Sequence, residues 1–312
     1  MAKQAWIFPG QGSQFVGMGK DVAEAYPEAS AVFREADAIL GVSLSQVCFE
    51  GPAEVLTDTI NAQPAIYVHS VAVLAVMRSR RPDVAPDFVA GHSLGEYSAL
   101  YAAGVFSFED GLRLVRERGR LMKLAGERAP GGMAAVLGLD LDTVAQICER
   151  TRAEVGEPIQ VANDNCPGQV VISGALPALD RAIALAEEAG ARRVVRLAVS
   201  IAAHSPLMSV VTDEFAAAVR KTPMHVPRIP VVMNASAQPT TDVREIQDLL
   251  VAQLTSPVRW TESVQYMAEA GVDTFVEIGP KDVLTGLVKR INRKLRRQTV
   301  GTADQLAAWL ES

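Results

Sequence analysis

Short apolar runs alternate with amphipathic stretches over the first 127 residues or so. Ala5–Phe8 is an apolar run closed by Pro9-Gly10, which predicts a strand ending in a turn. Helical spacing follows near residues 20–40 and 62–80, then the apolar Phe88-Val89-Ala90, then a 3.6-residue period from about 108 to 126. Ser107 and Asp110 open that last stretch as a capping box. Strands alternating with helices predict an α/β fold with a parallel sheet.

The pattern changes after Ala129-Pro130-Gly131-Gly132, which reads as a linker. Beyond it the chain predicts strand 133–137, helix 140–152, strand 159–162, a turn through Pro167-Gly168, strand 170–173, helix 176–189 and strand 193–199. This βαββαβ order is ferredoxin-like and of a size to be an insert. From His204 the helix–strand alternation resumes, with strands expected at 229–234 and 274–278. No repeat or low-complexity tract interrupts the 312 residues.

Composition sharpens this picture. Hydrophobic residues make up 49% of the chain and aromatics only 5%, so the core is aliphatic, as suits helices packed on a parallel sheet. The net charge of −6 argues against nucleic acid as a partner. One basic cluster, Lys289, Arg290, Arg293, Lys294, Arg296 and Arg297, reads as a solvated helix face, with an acidic partner as the minority reading. Cys48, Cys148 and Cys166 are too scattered for a disulfide framework or a zinc site, and no histidine forms a metal-ligand pair. The apolar run Ile66–Met77 is too short for a bilayer span and the N-terminus carries no signal-peptide pattern, so a cytoplasmic protein away from membranes is the expectation.

The chemistry concentrates around Gly91-His92-Ser93-Leu94-Gly95-Glu96. A serine flanked by glycines two residues away, between an apolar strand and a helix-like run, has the layout of a nucleophile elbow. The helix after it directs unpaired N–H groups to where a negative oxygen would develop. Serine needs a base. Of the four histidines, His69 reads as a core residue, His225 as loop or surface, and His92 as pointing away from its neighbour Ser93. His204 precedes Ser205-Pro206, a helix start, whose positive end would keep the imidazole neutral. It is the remaining candidate, with simple helix capping as the alternative.

Two further features are open at this stage. The turn Phe8-Pro9-Gly10-Gln11-Gly12-Ser13-Gln14 is an ordinary strand-to-helix loop, a poor dinucleotide fingerprint (Phe15 stands where the third glycine belongs), or a donor of a backbone N–H to an oxyanion hole beside Leu94. Arg118 shares a helical stripe with Leu114, Leu121 and Ala125. A buried arginine needs an anionic partner, either a structural carboxylate or that of a substrate.

Taken together, several segments resemble one family. Besides the loop and the elbow they are Gln63-Pro64-Ala65, Arg116-Glu117-Arg118-Gly119, Asn165-Cys166-Pro167-Gly168-Gln169-Val170-Val171, His204-Ser205-Pro206-Leu207-Met208, Pro257-Val258-Arg259-Trp260 and Glu277-Ile278-Gly279-Pro280. The chain resembles malonyl-CoA:acyl-carrier-protein transacylases and polyketide synthase acyltransferases over nearly its whole length. The resemblance implies Ser93 as nucleophile, His204 as base, the backbone carbonyl of Gln253 as the group orienting the histidine, Gln11 and Leu94 as the oxyanion hole, and Arg118 as the clamp on a malonyl carboxylate. It also implies a hydrolase-like large domain (1–127 and 200–312) interrupted by a ferredoxin-like small one (128–199). Malonyl-CoA and an acyl carrier protein would be the partners of a monomer needing no metal or other cofactor. The chain departs from the family at Ala202-Ala203, before His204, where bulkier or hydroxylated residues line the acyl pocket. Cys166 replaces a serine, and Lys281-Asp282 stands where Gly-Lys is common. A serine hydrolase and a non-catalytic docking module are the competing readings. The joint presence of Ser93, His204 and Arg118 argues against the docking module; incubation with malonyl-CoA, with and without carrier protein, separates transferase from hydrolase.

Overall fold

Apolar alternation resolves into two sheets in the computed structural model, which describes residues 3–199 and 201–312. In chain order the strands are β1 (Lys3–Phe8), β2 (Phe88–Gly91), β3 (Gly131–Leu137), β4 (Ile159–Cys166), β5 (Gln169–Ala175), β6 (Arg193–Arg196), β7 (Val231–Val232), β8 (Pro239–Thr240), β9 (Val258–Arg259), β10 (Val272–Ile278) and β11 (Arg296–Val300).

The larger sheet has the order β11-β10-β1-β2-β7-β8 and is parallel except for the last pair. Its central strand β1 ends in the buried run Ala5-Trp6-Ile7-Phe8, apolar on both faces as a strand covered by helices on both sides must be. Phe8 lies in register with Gly91. The loop leaving β1 and the turn leaving β2 therefore emerge side by side at the carboxyl edge of the sheet, where open α/β sheets place their sites.

The smaller sheet has the order β6-β3-β5-β4-β9. Its first four strands follow the βαββαβ sequence order with antiparallel neighbours. Helices Leu141–Val155 and Leu176–Glu188 bury Val144, Ile147, Leu179 and Leu185 against them. β9, from far along the chain, adds a parallel fifth strand beside β4.

Several expected boundaries move for local reasons. The single helix expected over 20–40 is two, Lys20–Ala25 and Pro27–Leu40, because Tyr26 precedes a proline and takes an extended conformation. The expected linker is shorter: the Phe108–Arg128 helix ends just before it, and Gly131-Gly132 already belong to β3. At Ser107 the hydroxyl accepts the Asp110 N–H and donates to its carboxylate, so half of the capping box forms. The strand expected over 229–234 shrinks to Val231–Val232, and the one expected to reach 199 ends at Arg196. Ser200 lies outside the described residues. The basic cluster is spread over the end of the Val283–Ile291 helix, the turn holding Arg293 and Lys294, and β11; Arg290 of the helix donates to Gln169 and Arg296 of β11 pairs with Asp273.

The helix Thr59–Arg80 spans 22 residues, longer than its apolar run suggested, and is long and apolar enough to cross a membrane by length and composition alone. Here it is a core helix, with 16 of its residues buried. Pro64 interrupts its first turns and leaves the Ile60 carbonyl without a helical N–H. Arg116, reaching over from the Phe108–Arg128 helix, donates to that carbonyl at 2.6 Å. The crossing is close: a Cβ on Gly119 would lie 2.9 Å from the Thr59 carbonyl oxygen.

Candidate active site

The turn after β2 is tight for a steric reason. A Cβ on Gly91 would lie 1.9 Å from the Gly95 carbonyl carbon, and one on Gly95 would lie 2.0 Å from the Phe8 carbonyl oxygen. Only glycine permits both approaches, and Ser93 between them is forced to φ 51°, in the left-handed region. Its N–H donates to Asn234 Oδ1 at 2.7 Å, while Asn234 Nδ2 donates to the Gly91 carbonyl at 2.6 Å, so one side chain beyond β7 braces both sides of the turn. The helix Gly95–Ala102 starts immediately after.

Ser93 Oγ lies 2.8 Å from His204 Nε2, and His204 Nδ1 lies 2.8 Å from the backbone carbonyl of Gln253. That carbonyl can only accept, so the proton sits on Nδ1 and leaves Nε2 bare to accept from the serine. His204 too is left-handed, at φ 57°. Its carbonyl is held by Gln160 Nε2 at 2.8 Å from the small sheet. Burial, seconded by the nearby Arg118 charge, pushes the His204 pKa down to about 3, so the ring is neutral at pH 7. The helix expected after it is a 3₁₀ turn, Pro206–Val211. Burial and Arg118, rather than a helix N-terminus, account for its neutrality.

Arg118 is almost wholly buried, at 1% exposure. Its guanidinium donates to Gln63 Oε1 at 2.6 Å, Gln253 Oε1 at 2.9 Å and Ser93 Oγ at 3.1 Å, and it lies 5.4 Å from the Tyr97 ring centre. No carboxylate lies within ion-pair distance of it among the described residues, and Nε has no partner. The structural ion pair open in the sequence is therefore absent. Neutral amides hold a buried cation that faces a cavity of about 350 Å³.

That cavity is lined by Gln11, Ser93, Arg118, His204, Met133 and Ala203, among others, and so by both sheets' elements. Gly10 packs against the elbow, since a Cβ there would lie 2.3 Å from the His92 carbonyl oxygen. Gln11 is tied to Arg118 through Thr59 and Gln63: Thr59 Oγ1 donates to Gln11 Oε1 at 3.0 Å and accepts from Gln63 Nε2 at 2.9 Å. The N–H groups of Gln11 and Leu94 meet no other acceptor among the described residues. His92 turns away to Asn165 Oδ1 at 2.8 Å, His69 is buried against the Gly301 carbonyl, and His225 is exposed. The cysteines are buried and unpaired, and burial pushes Cys48 and Cys148 up to about 12. Among the described residues no group of three or more His, Cys, Asp or Glu could hold a metal ion.

Gln160 and Asn234 escaped the sequence reading, and Glu96 was visible only as the end of the elbow motif. Each was a polar residue in or beside an apolar element, a signal that marks burial without saying what it touches. Gln63 was visible only as part of a family motif.

A serine hydroxyl bonded to a neutral imidazole and facing a cavity with a fixed cation is equipped to attack a carbonyl in a molecule that also carries an anionic group. Fold and site thus define an α/β enzyme of the acyl-transferring kind. The chain belongs to the acyl transferase domain family, whose match spans residues 5–306. It is 46% identical over 304 residues to the malonyl CoA-acyl carrier protein transacylase of Bacillus subtilis (strain 168), covering 97% of this chain and 94% of that one. It is 44% identical over 311 residues to the enzyme of the same name from Escherichia coli (strain K12), with both chains covered in full. Among solved structures it resembles a chain from the complex of a type II PKS acyl-carrier protein with its malonyl-transacylase, with TM-score 0.96 and 41% identity over 99% of each chain. An acyl carrier protein S-malonyltransferase from Vibrio cholerae gives TM-score 0.94 and 42% identity, covering 99% of this chain and 100% of the other.

Proposed function

We propose that this enzyme transfers a malonyl group from malonyl-CoA to the phosphopantetheine thiol of an acyl carrier protein through a malonyl ester on Ser93. In this reading His204 Nε2 takes the hydroxyl proton as Ser93 Oγ attacks the thioester carbonyl. The tetrahedral oxyanion is stabilised by the N–H groups of Gln11 and Leu94. The C–S bond then breaks and His204 returns the proton to the departing thiolate. The carrier's thiol repeats the steps in reverse order of groups, giving its proton to His204 and restoring Ser93. Thioester, ester and thioester follow one another without redox change, so the chemistry asks for neither electron carrier nor metal. The Gln253 carbonyl keeps the imidazole in the right tautomer without placing a full charge beside Arg118.

The observation that carries the reading is Arg118, a buried cation with no carboxylate partner among the described residues, 3.1 Å from Ser93 Oγ. A guanidinium held there by neutral amides is satisfied fully only when an anion arrives, and a malonyl carboxylate fits that need. The pattern of sheets supports reading a hydrolase-like large domain (1–127 and 200–312) and a ferredoxin-like small domain (128–199); that the enzyme works as a cytoplasmic monomer is part of the same proposal. Incubation with malonyl-CoA followed by digestion and mass spectrometry tests the intermediate. The expected product is a Ser93 peptide heavier by one malonyl group, lost together with turnover in Ser93→Ala. A malonyl group found on Cys48, Cys148 or Cys166 instead would overturn it.

A further inference from the structure

Glu96 has no place in the chemistry derived so far, yet it is fully buried three residues after Ser93. Its carboxyl accepts the backbone N–H of Asn234 through Oε1 at 2.9 Å and the side-chain amide of Gln253 through Oε2. Gln253 is the junction of the site. Its backbone carbonyl holds His204 Nδ1, its Nε2 also reaches the Ser93 carbonyl at 3.1 Å, and its Oε1 accepts from Arg118. A carboxamide has one accepting end and one donating end. Whatever fixes the donating end fixes the accepting end as well.

We infer that Glu96 is a positioning residue for acyl-group selection: by accepting from Gln253 Nε2 it turns the Gln253 amide oxygen toward Arg118 and so aims the guanidinium at the substrate carboxylate. Were the amide reversed, its NH₂ would face the guanidinium, donor against donor, and Arg118 would lose one of its two neutral holders. Burial raises the Glu96 pKa to about 8, while its two hydrogen bonds and the Arg118 charge pull the other way. In this geometry each carboxyl oxygen accepts one N–H, a role that an oxygen lone pair can fill whether or not the group is protonated. Glu96 does not line the cavity; its bond to the Asn234 N–H supports the residue that braces the elbow, and its route to Arg118 runs through Gln253.

This inference rests on the malonyl reading of Arg118, and the test separates the two. Glu96→Gln keeps the shape but brings an NH₂ that cannot accept; the relief available is reversal of the Gln253 amide. The expected result is a loss of about 10- to 100-fold in kcat/KM for malonyl-CoA, the range for a hydrogen bond to a charged group. Loading from acetyl-CoA, which has no carboxylate, should change little, and Tm should stay near that of the wild type. If Glu96→Gln does not fold, Gln253→Leu removes the same side-chain relay while keeping the carbonyl on His204, and should show the same loss of malonyl over acetyl preference. Equal losses for both thioesters, or an unchanged preference in either folded variant, would overturn the role of Glu96. Failure of the wild type to load malonyl at all would instead strike the malonyl reading itself.

Discussion

At Ser93 and His204 two non-glycine residues occupy left-handed backbone, and each is pinned by a side chain from elsewhere: Asn234 on the serine N–H, Gln160 on the histidine carbonyl. Strain of this kind persists where surroundings over-determine it, and here it points hydroxyl and imidazole at one another. The depressed histidine pKa then has a kinetic consequence. A base whose conjugate acid titrates near 3 keeps its lone pair throughout the neutral range. Pre-steady-state loading from malonyl-CoA should therefore show no decline centred on the ordinary histidine value of about 6.5 as the pH is lowered, and should fall only in more acid solution. A fall centred between about 6 and 7, with chemistry shown to be limiting, would mean that His204 is solvated or is not the base. At this scale the sequence was informative about identity and poor about contacts. Gly91-His92-Ser93-Leu94-Gly95 announces its own turn through sterics of adjacent residues. That His204 faces Ser93 across 111 positions is not written locally.

The elements carry the site through a helix crossing. Pro64 removes one N–H from the Thr59–Arg80 helix, and Arg116 replaces it by donating to the Ile60 carbonyl. One turn further along, Gly119 lets the two helices approach, and Arg118 between these residues enters the core to meet Gln63. Arg116→Ala should leave that half-buried carbonyl without its donor and cost on the order of 1 kcal/mol in urea unfolding. In a Pro64→Ala background the restored helical N–H can serve Ile60, so the same substitution should cost less, with a coupling of at least ~0.5 kcal/mol. Strictly additive losses would show that Arg116 acts elsewhere. The sequence showed the amphipathic Phe108–Arg128 helix and the stripe that buries Arg118, because a 3.6-residue period is a local signal. It missed the break at Tyr26 and the shortness of Val231–Val232. Those boundaries depend on one proline and on how little edge the neighbouring strand offers.

Over the whole molecule, two sheets share one cavity. The larger supplies the loop at Gln11 and the elbow at Ser93; the smaller supplies Met133 and the Gln160 contact; β9 and the His92–Asn165 bond stitch the two together. The order of strands in the smaller sheet could be read from the alternation alone, since each hairpin and crossover is contiguous there. The added strand β9 could not, because its two residues come from a distant stretch. At the centre of this arrangement stands a cation without an anion. The most direct test compares kcat/KM for malonyl-CoA and acetyl-CoA in folded Arg118→Ala. Breaking a buried arginine–carboxylate pair costs about 3–5 kcal/mol, so malonyl transfer should fall on the order of 10²–10³-fold or more while acetyl transfer is kept or improved. Equal losses for the two thioesters would contradict the account and make Arg118 a support of the fold rather than the selector of the acyl group.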